Sequence, residues 1–265
     1  MRPIKNKERE VVIQSLRSGV VPKLGLQHIQ VGRSEEIKSF VRDIQNISEG
    51  GSSFRFVIGE YGSGKTFFLS LIRSIALEKG LVTMHADLSP SKRLHGSQGQ
   101  ARYLLSELIS SLSTRTRQDG NALELILDRF LSVVKEHQDL NKKSISNVVC
   151  TLLKDIIDIP GGYDFLRVIN KYCEAYEEED EEVKNKALKW LRAEYSTKKD
   201  SYSDLGVREI INDKSLLNTI KMYCLLVRKA GYNGLLVCMD ELVNLYKITN
   251  TVSRNANYEE ILRML

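Results

Sequence analysis

Gly59-Glu60-Tyr61-Gly62-Ser63-Gly64-Lys65-Thr66, flanked by Val57 and Ile58 on one side and Phe67 and Phe68 on the other, is the stretch on which the reading of this chain turns. Its spacing is that of a phosphate-binding loop, G-x-x-x-x-G-K-T. Each residue type has a physical task in that pattern. Glycines let the backbone turn so that successive amide hydrogens converge on phosphate oxygens. A helix beginning near Lys65 aims its positive end at the same charge. Lys65 would reach the terminal phosphates, and the Thr66 hydroxyl would bind Mg²⁺. With Glu60, Tyr61 and Ser63 inside the loop and Phe67 just after it, residues 59–67 form the candidate nucleotide-binding set. The competing reading is a flexible turn with a surface lysine. Context favours the first: "FRFVI" (Phe54–Ile58) reads as a short strand, and "KTFFLSLIRSIALEKG" has helical periodicity closed by Gly80.

Working outward, "LVTMHADL" (Leu81–Leu88) reads as a second strand, and strand, helix, strand in that order indicates a parallel β-α-β unit. Upstream, "KNKEREVVIQSLRSG" suits a short amphipathic helix ending at Gly19, followed by a loop with Pro22 and Gly25. In "HIQVGRSEEIKSFVRDIQNI", Ser34 is a good N-cap and Glu35 and Glu36 favour the positive end of the helix behind it. From Gln98 to about Tyr232 strand signals nearly vanish, and segments such as "ARYLLSELISSL" and "LLNTIKMYCLLVRKAG" fit helices. An acidic run from Glu177 to Glu182 reads as a solvated loop or helix end, with an acidic docking surface as the minority alternative. "GLLVCMDELVNLY" then restores strand character. Leu235 to Met239 is an uninterrupted apolar run, as a strand covered on both faces requires. The expected organisation is a helical segment over residues 1–50, the phosphate-loop half of a core over 51–97, a helical insertion over 98–232, and a closing strand and helix over 233–265. Because "YEEILRML" stops in the middle of an apparent helix, the domain is expected to continue past it.

Asp240 and Glu241 end that last strand. Alone, two acids after a buried strand are common. Beside a phosphate loop they acquire a meaning, because nucleotide hydrolases of this class hold Mg²⁺ with an aspartate at the end of a neighbouring strand. Asp240 has that position, and Glu241 could orient and deprotonate the attacking water. Together the two motifs read as an ATP site equipped for hydrolysis. Asp87, at the carboxyl end of the second strand, would border the same crevice or else act as an N-cap or turn residue. His85 reads as a packed core histidine, and Arg93, Arg115 and Arg117 as solvated by default.

Composition limits the other classes. The apolar and charged fractions are those of a globular protein with a sizeable core, and a net charge of +5 is too small to argue for nucleic acid on its own. The four cysteines have no zinc-ligand spacing and no Cys-x-x-Cys pair. The charged amino terminus is no secretory signal, and no stretch is long and apolar enough to span a bilayer, so no membrane role and a cytoplasmic location are expected.

Several of these pieces resemble a known family. "HIQVGRSEEI" is similar to the Val-Gly-Arg box that precedes the phosphate loop in AAA+ and related signal-transducing ATPases, which implies that Val31, Gly32 and Arg33 neighbour the adenine. The string "SGVVPKLGLQHIQVGR", with "GEYGSGKTFFL" and "MDEL", resembles the ATP-binding-domain proteins encoded in bacterial BREX phage-defence loci. The resemblance implies an α/β fold with a parallel-sheet P-loop NTPase core, AAA+-like, and a large helical insertion between the second strand and the Walker B strand. It implies a sensor residue, an arginine finger and a helical lid beyond this stretch, so weak turnover is expected from it alone. ATP, Mg²⁺ and other defence-system proteins are the partners implied. A non-hydrolysing nucleotide-dependent scaffold, a DNA-translocating motor and an oligomer stay open as alternatives.

Overall fold

Phe68, Leu71, Ile72 and Ala76 recur three and four residues apart, and all are buried along one helix. That helix is one of four in the first of two compact units, Met1–Lys79 and Gly80–Leu265, in a computed structural model that describes residues 4–22, 25–141 and 144–265. The described elements of the first unit are α1 (Asn6–Arg17), α2 (Leu26–Ile29), α3 (Ser34–Ser48) and α4 (Lys65–Glu78). The loop expected between Pro22 and Gly25 includes residues 23 and 24, which lie outside the described residues. Helices α3 and α4 pack together, with the Phe40 and Phe68 rings edge to face at 5.5 Å.

Two expectations for this unit are corrected. Ser34 is the first helical residue of α3, and Arg33 occupies the cap position with a left-handed φ of 52°. The strand expected at Phe54–Ile58 does not form: residues 51–60 carry no regular secondary structure. A strand is defined by the ladder it shares, and among the described residues this segment has no ladder partner. Side chains hold it instead. Arg55 makes a two-pronged ion pair with Asp43 on α3, its second prong an Nη2–Oδ1 bond of 3.0 Å, and its guanidinium lies 5.6 Å from the centre of the Phe40 ring. Phe54 and Phe56 pack edge to face on each other and remain exposed.

The second unit is built on a two-stranded parallel sheet, β1 (Val82–Asp87) beside β2 (Leu235–Asp240), in register from Val82 opposite Leu235 to Asp87 opposite Asp240. The crossover between them is helical: α5 (Gln100–Ser110), α6 (Leu123–Asn141), α7 (Ile145–Leu152), a 3₁₀ turn at Lys154–Ile156, α8 (Gly162–Glu177), α9 (Glu181–Leu191), α10 (Lys198–Leu205) and α11 (Leu216–Lys229). After β2 come α12 (Val243–Tyr246) and α13 (Thr251–Met264). The core joins β1 to the crossover helices. Val82 and Met84 are fully buried with Leu104 and Leu108 of α5, Phe130 of α6, and Phe165 of α8. Tyr223 on α11 stacks edge to face on Phe165 at 5.5 Å and donates its hydroxyl to the Leu191 carbonyl at 2.8 Å, so this fully buried ring carries a satisfied polar end.

Strand β1 is covered almost throughout, and its other edge is bonded to Ser113 by a bridge at Thr83. Strand β2 is less covered than its apolar run suggests. Leu235 and Cys238 are buried while Leu236, Val237, Met239 and Asp240 are half-buried. Among the described residues it has a strand neighbour on one side only.

Candidate nucleotide-binding site

The loop from Gly59 to Gly64 is shaped by its glycines. The Ser63 N–H bonds the Glu60 carbonyl at 3.2 Å, closing a four-residue turn with Tyr61 and Gly62 at its centre. Gly62, third in that turn, has a φ of 78°, the sign that a type II turn demands there. Gly64 follows at φ 81° and passes the chain into α4, whose first residue is Lys65. A Cβ at either glycine would meet nothing within 4 Å, so the demand is conformational and not steric. As the cap of α4, Gly64 offers no side chain to its first N–H groups, and the first turn carries no acid. The first turn of α4 thus brings no acid of its own to the positive end of the helix dipole.

Lys65 folds back over the loop. Its ammonium donates to the Gly59 carbonyl at 3.0 Å and to the Glu60 carbonyl at 2.8 Å. The Arg33 guanidinium reaches the same loop from the other side of the sequence. It donates to the Ser63 carbonyl and lies 5.4 Å from the centre of the Phe68 ring. Arg33, Ser63, Lys65 and Phe68 share the wall of one open cavity of about 540 Å³, lined also by Glu35 and Phe40 of α3. Tyr61 and Thr66 are exposed and Phe67 is half-buried. Val31 is 92% exposed, and Gly32 beside it has a φ of 73°.

In the second unit the carboxyl ends of the two strands bring acids together. Asp87 is the register partner of Asp240, and Glu241 follows at once. Crowding raises the Asp87 pKa above its ordinary value. Loss of water around the carboxyl contributes most, then repulsion from Asp240, then from Glu107 and Glu241, with Lys92 opposing. Lys92 is itself paired with Glu107. The Asp240 carboxylate accepts the Glu241 backbone N–H at 2.8 Å. Glu241 has a left-handed φ of 59°, a conformation that costs a side-chain-bearing residue about 1 kcal/mol or more and concentrates at functional turns. Two further bonds brace the strand ends: the Leu88 N–H to the Asp240 carbonyl at 3.0 Å, and the Asn244 amide to the Leu88 carbonyl at 2.7 Å.

Sequence reasoning missed the Arg33–Ser63 tie, the left-handed turn at Glu241 and the Asn244 brace. The first carried a signal, since Arg33 stood in a recognisable box, but the box does not name the loop carbonyl it reaches. The other two leave no trace in residue type. His85 is half-buried on β1, with its backbone N–H bonded to the Ser111 hydroxyl at 2.7 Å. All four cysteines are free thiols. Among the described residues no group of three or more His, Cys, Asp or Glu side chains could hold a metal, and no helix is long and apolar enough to cross a membrane.

Comparison with known proteins gives one family. The family model for the BREX system ATP-binding protein BrxC/D matches residues 4–265. No curated protein and no solved structure matches the chain.

Proposed function

Because the chain belongs to the BREX system ATP-binding protein BrxC/D family, which supports a nucleotide-binding role in phage defence, we propose that its loop at 59–66 is the phosphate cradle of an ATP-hydrolysing switch. The observation that carries the reading is the arrangement at the head of α4: two left-handed glycines, a first helical turn with no acid of its own, and a lysine ammonium folded onto the loop. A glycine-turned loop at a helix amino end with a lysine ammonium beside it suits a triphosphate. In this reading Gly59 to Thr66 and Phe67 hold the phosphates by their backbone, and Lys65 turns its ammonium to the terminal phosphates.

Thr66 and Asp240 would hold Mg²⁺. Their oxygen donors match a cation that keeps several waters and takes one or two protein ligands plus phosphate oxygens. When bound, the ion would neutralise charge on the phosphates. Glu241 serves as the base that takes a proton from the attacking water, and Val31 and Gly32 of the Val-Gly-Arg box lie toward the adenine end. Hydrolysis is then mainly positioning and charge stabilisation, which these few groups can supply. The AAA+-like core, with residues 98–232 as its helical insertion, belongs to the same proposal. So does the output: nucleotide state would reorient helical elements and so act on another protein of the defence system.

The test is the affinity of the full chain for ATP with Mg²⁺, measured calorimetrically for wild type and Lys65→Ala. Loss of detectable ATP binding in Lys65→Ala, with the melting profile kept, is expected. An unchanged affinity would remove the cradle assignment.

A further inference from the structure

Resting on the reading of residues 59–66 as a phosphate cradle, we propose that Arg33 is a positioning residue that sets the loop's shape through the Ser63 carbonyl, and so serves the phosphate end of the nucleotide. The loop is exposed along its length, so packing does little to define it. The bonds described within it include the Glu60–Ser63 turn, the two carbonyl contacts of Lys65, and the Arg33 contact to Ser63. Lys65 cannot keep Gly59 and Glu60 and also serve phosphate with the same donors. When its ammonium turns to the ligand, its three donors are shared with phosphate and its hold on the loop carbonyls weakens. The Arg33 contact carries no such conflict, because in this reading Lys65 and not Arg33 turns its donors to the terminal phosphates.

The geometry of a trans peptide makes this contact directional. The carbonyl of Ser63 and the N–H of Gly64 belong to one planar unit and point in opposite directions. Binding the Ser63 oxygen to Arg33 therefore fixes the direction of the Gly64 N–H, one of the amides the cradle presents. Gly64, at φ 81°, would otherwise turn freely about that unit.

Arg33 is itself well held. Its guanidinium lies against Phe68, in the first turn of α4, and its backbone is fixed in a left-handed cap ahead of α3. One side chain thus links the start of α3, the loop and the start of α4, and it does so on the cavity wall that Lys65 shares. Preorganisation of this kind raises affinity by removing the ordering cost from the binding step. The left-handed backbone is equally costly for arginine and alanine, so Arg33→Ala isolates the guanidinium.

The experiment compares wild type, Arg33→Ala and Lys65→Ala in the full chain for binding of inorganic tripolyphosphate, ATP and GTP. Arg33→Ala is expected to weaken all three by one common factor of about tenfold or more, the scale of a hydrogen bond to a charged group. Hydrogen exchange without any ligand should show faster amides at Gly62 to Thr66 in Arg33→Ala and little change in α1. Unaltered tripolyphosphate binding overturns the proposal. So does a loss for ATP that spares GTP and tripolyphosphate, which marks a base contact. If Lys65→Ala loses tripolyphosphate and Arg33→Ala does not, the cradle stands and this role for Arg33 falls. If wild type and Lys65→Ala bind tripolyphosphate alike, the cradle fails and the proposal with it. Should Arg33→Ala not fold, Arg33→Gln is read in the same assay: a smaller loss shared by all three ligands supports the role, and no loss overturns it.

Discussion

Asp87 and Asp43 show how differently this protein treats two carboxylates. Asp43 is held below its ordinary pKa, first by hydrogen bonding from Arg55, with partial burial opposing. Asp87 is pushed up by loss of water and by the acids around it. The folded Asp87 carboxyl thus holds its proton more tightly than the unfolded one, and ionising it costs folding stability. That penalty is complete above the raised pKa and disappears as pH falls through it toward the ordinary value of 3.8. Asp87→Asn removes the charge and leaves the shape. In the ligand-free protein it should raise the melting midpoint at pH 7.5 by about 1–2 °C, because the site is solvent-exposed and the repulsion is screened. The gain should shrink as the pH is lowered into the carboxylate range. A midpoint that falls at pH 7.5 in differential scanning fluorimetry would mean that Asp87 is held by favourable contacts and not crowded by like charge.

At the scale of elements, α13 packs Ile261 and Met264 against the core and buries one polar side chain completely. Its exposed face bears Val252 and Leu262, while Asn257 is fully buried. Asn257 accepts the His95 N–H at 2.9 Å and donates to the His95 carbonyl at 3.0 Å, pairing with the loop after β1 as another backbone would. Its amide also reaches the Ser253 carbonyl at 2.8 Å. Asn257→Ala removes the hydrogen bonds of a fully buried amide to His95 and Ser253, which should cost about 1–3 kcal/mol and be seen in urea unfolding of the second unit. A change under about 0.5 kcal/mol would show that water replaces the amide freely. None of this was legible beforehand, since a mid-helix asparagine reads as surface. What was legible had strong local cause. Lys65–Glu78 declared itself by periodicity, Val82–Asp87 and Leu235–Asp240 by apolar runs between turns, and Gly62 and Gly64 by a motif whose spacing depends on positive φ. Phe54–Ile58 misled because β-propensity reports a fit to a pleated surface, and a strand exists only where a partner edge is bonded to it. The cap of α3 misled by one residue: Ser34 has the side chain for the task, and the left-handed turn at Arg33 took the position. Long-range placement of side chains, such as Arg33 on Ser63, is decided by packing that no local window contains.

For the molecule as a whole, binding and turnover are separable questions, because the residues assigned to them stand far apart in the chain. The cradle residues lie in the first compact unit, and Asp240 and Glu241 in the second. A ligand that binds only the folded form stabilises it by mass action, by about 2.7 kcal/mol at a hundredfold excess over its dissociation constant. A chain of two units need not melt in one step, so the useful quantity is the shift that ATP with Mg²⁺ produces in each transition. Glu241→Gln keeps the size and polarity of the side chain and removes its basicity. If Glu241 activates water, this variant should keep the ATP-dependent shift of wild type and lose phosphate release by about a hundredfold or more. Lys65→Ala should lose both. The pair therefore distinguishes a switch driven by hydrolysis from a scaffold that only needs occupancy. Equal single-turnover phosphate release from wild type and Glu241→Gln would take Glu241 out of the mechanism. It would also leave its left-handed turn to be explained by the bracing of the strand ends through Asp240, Asn244 and Leu88.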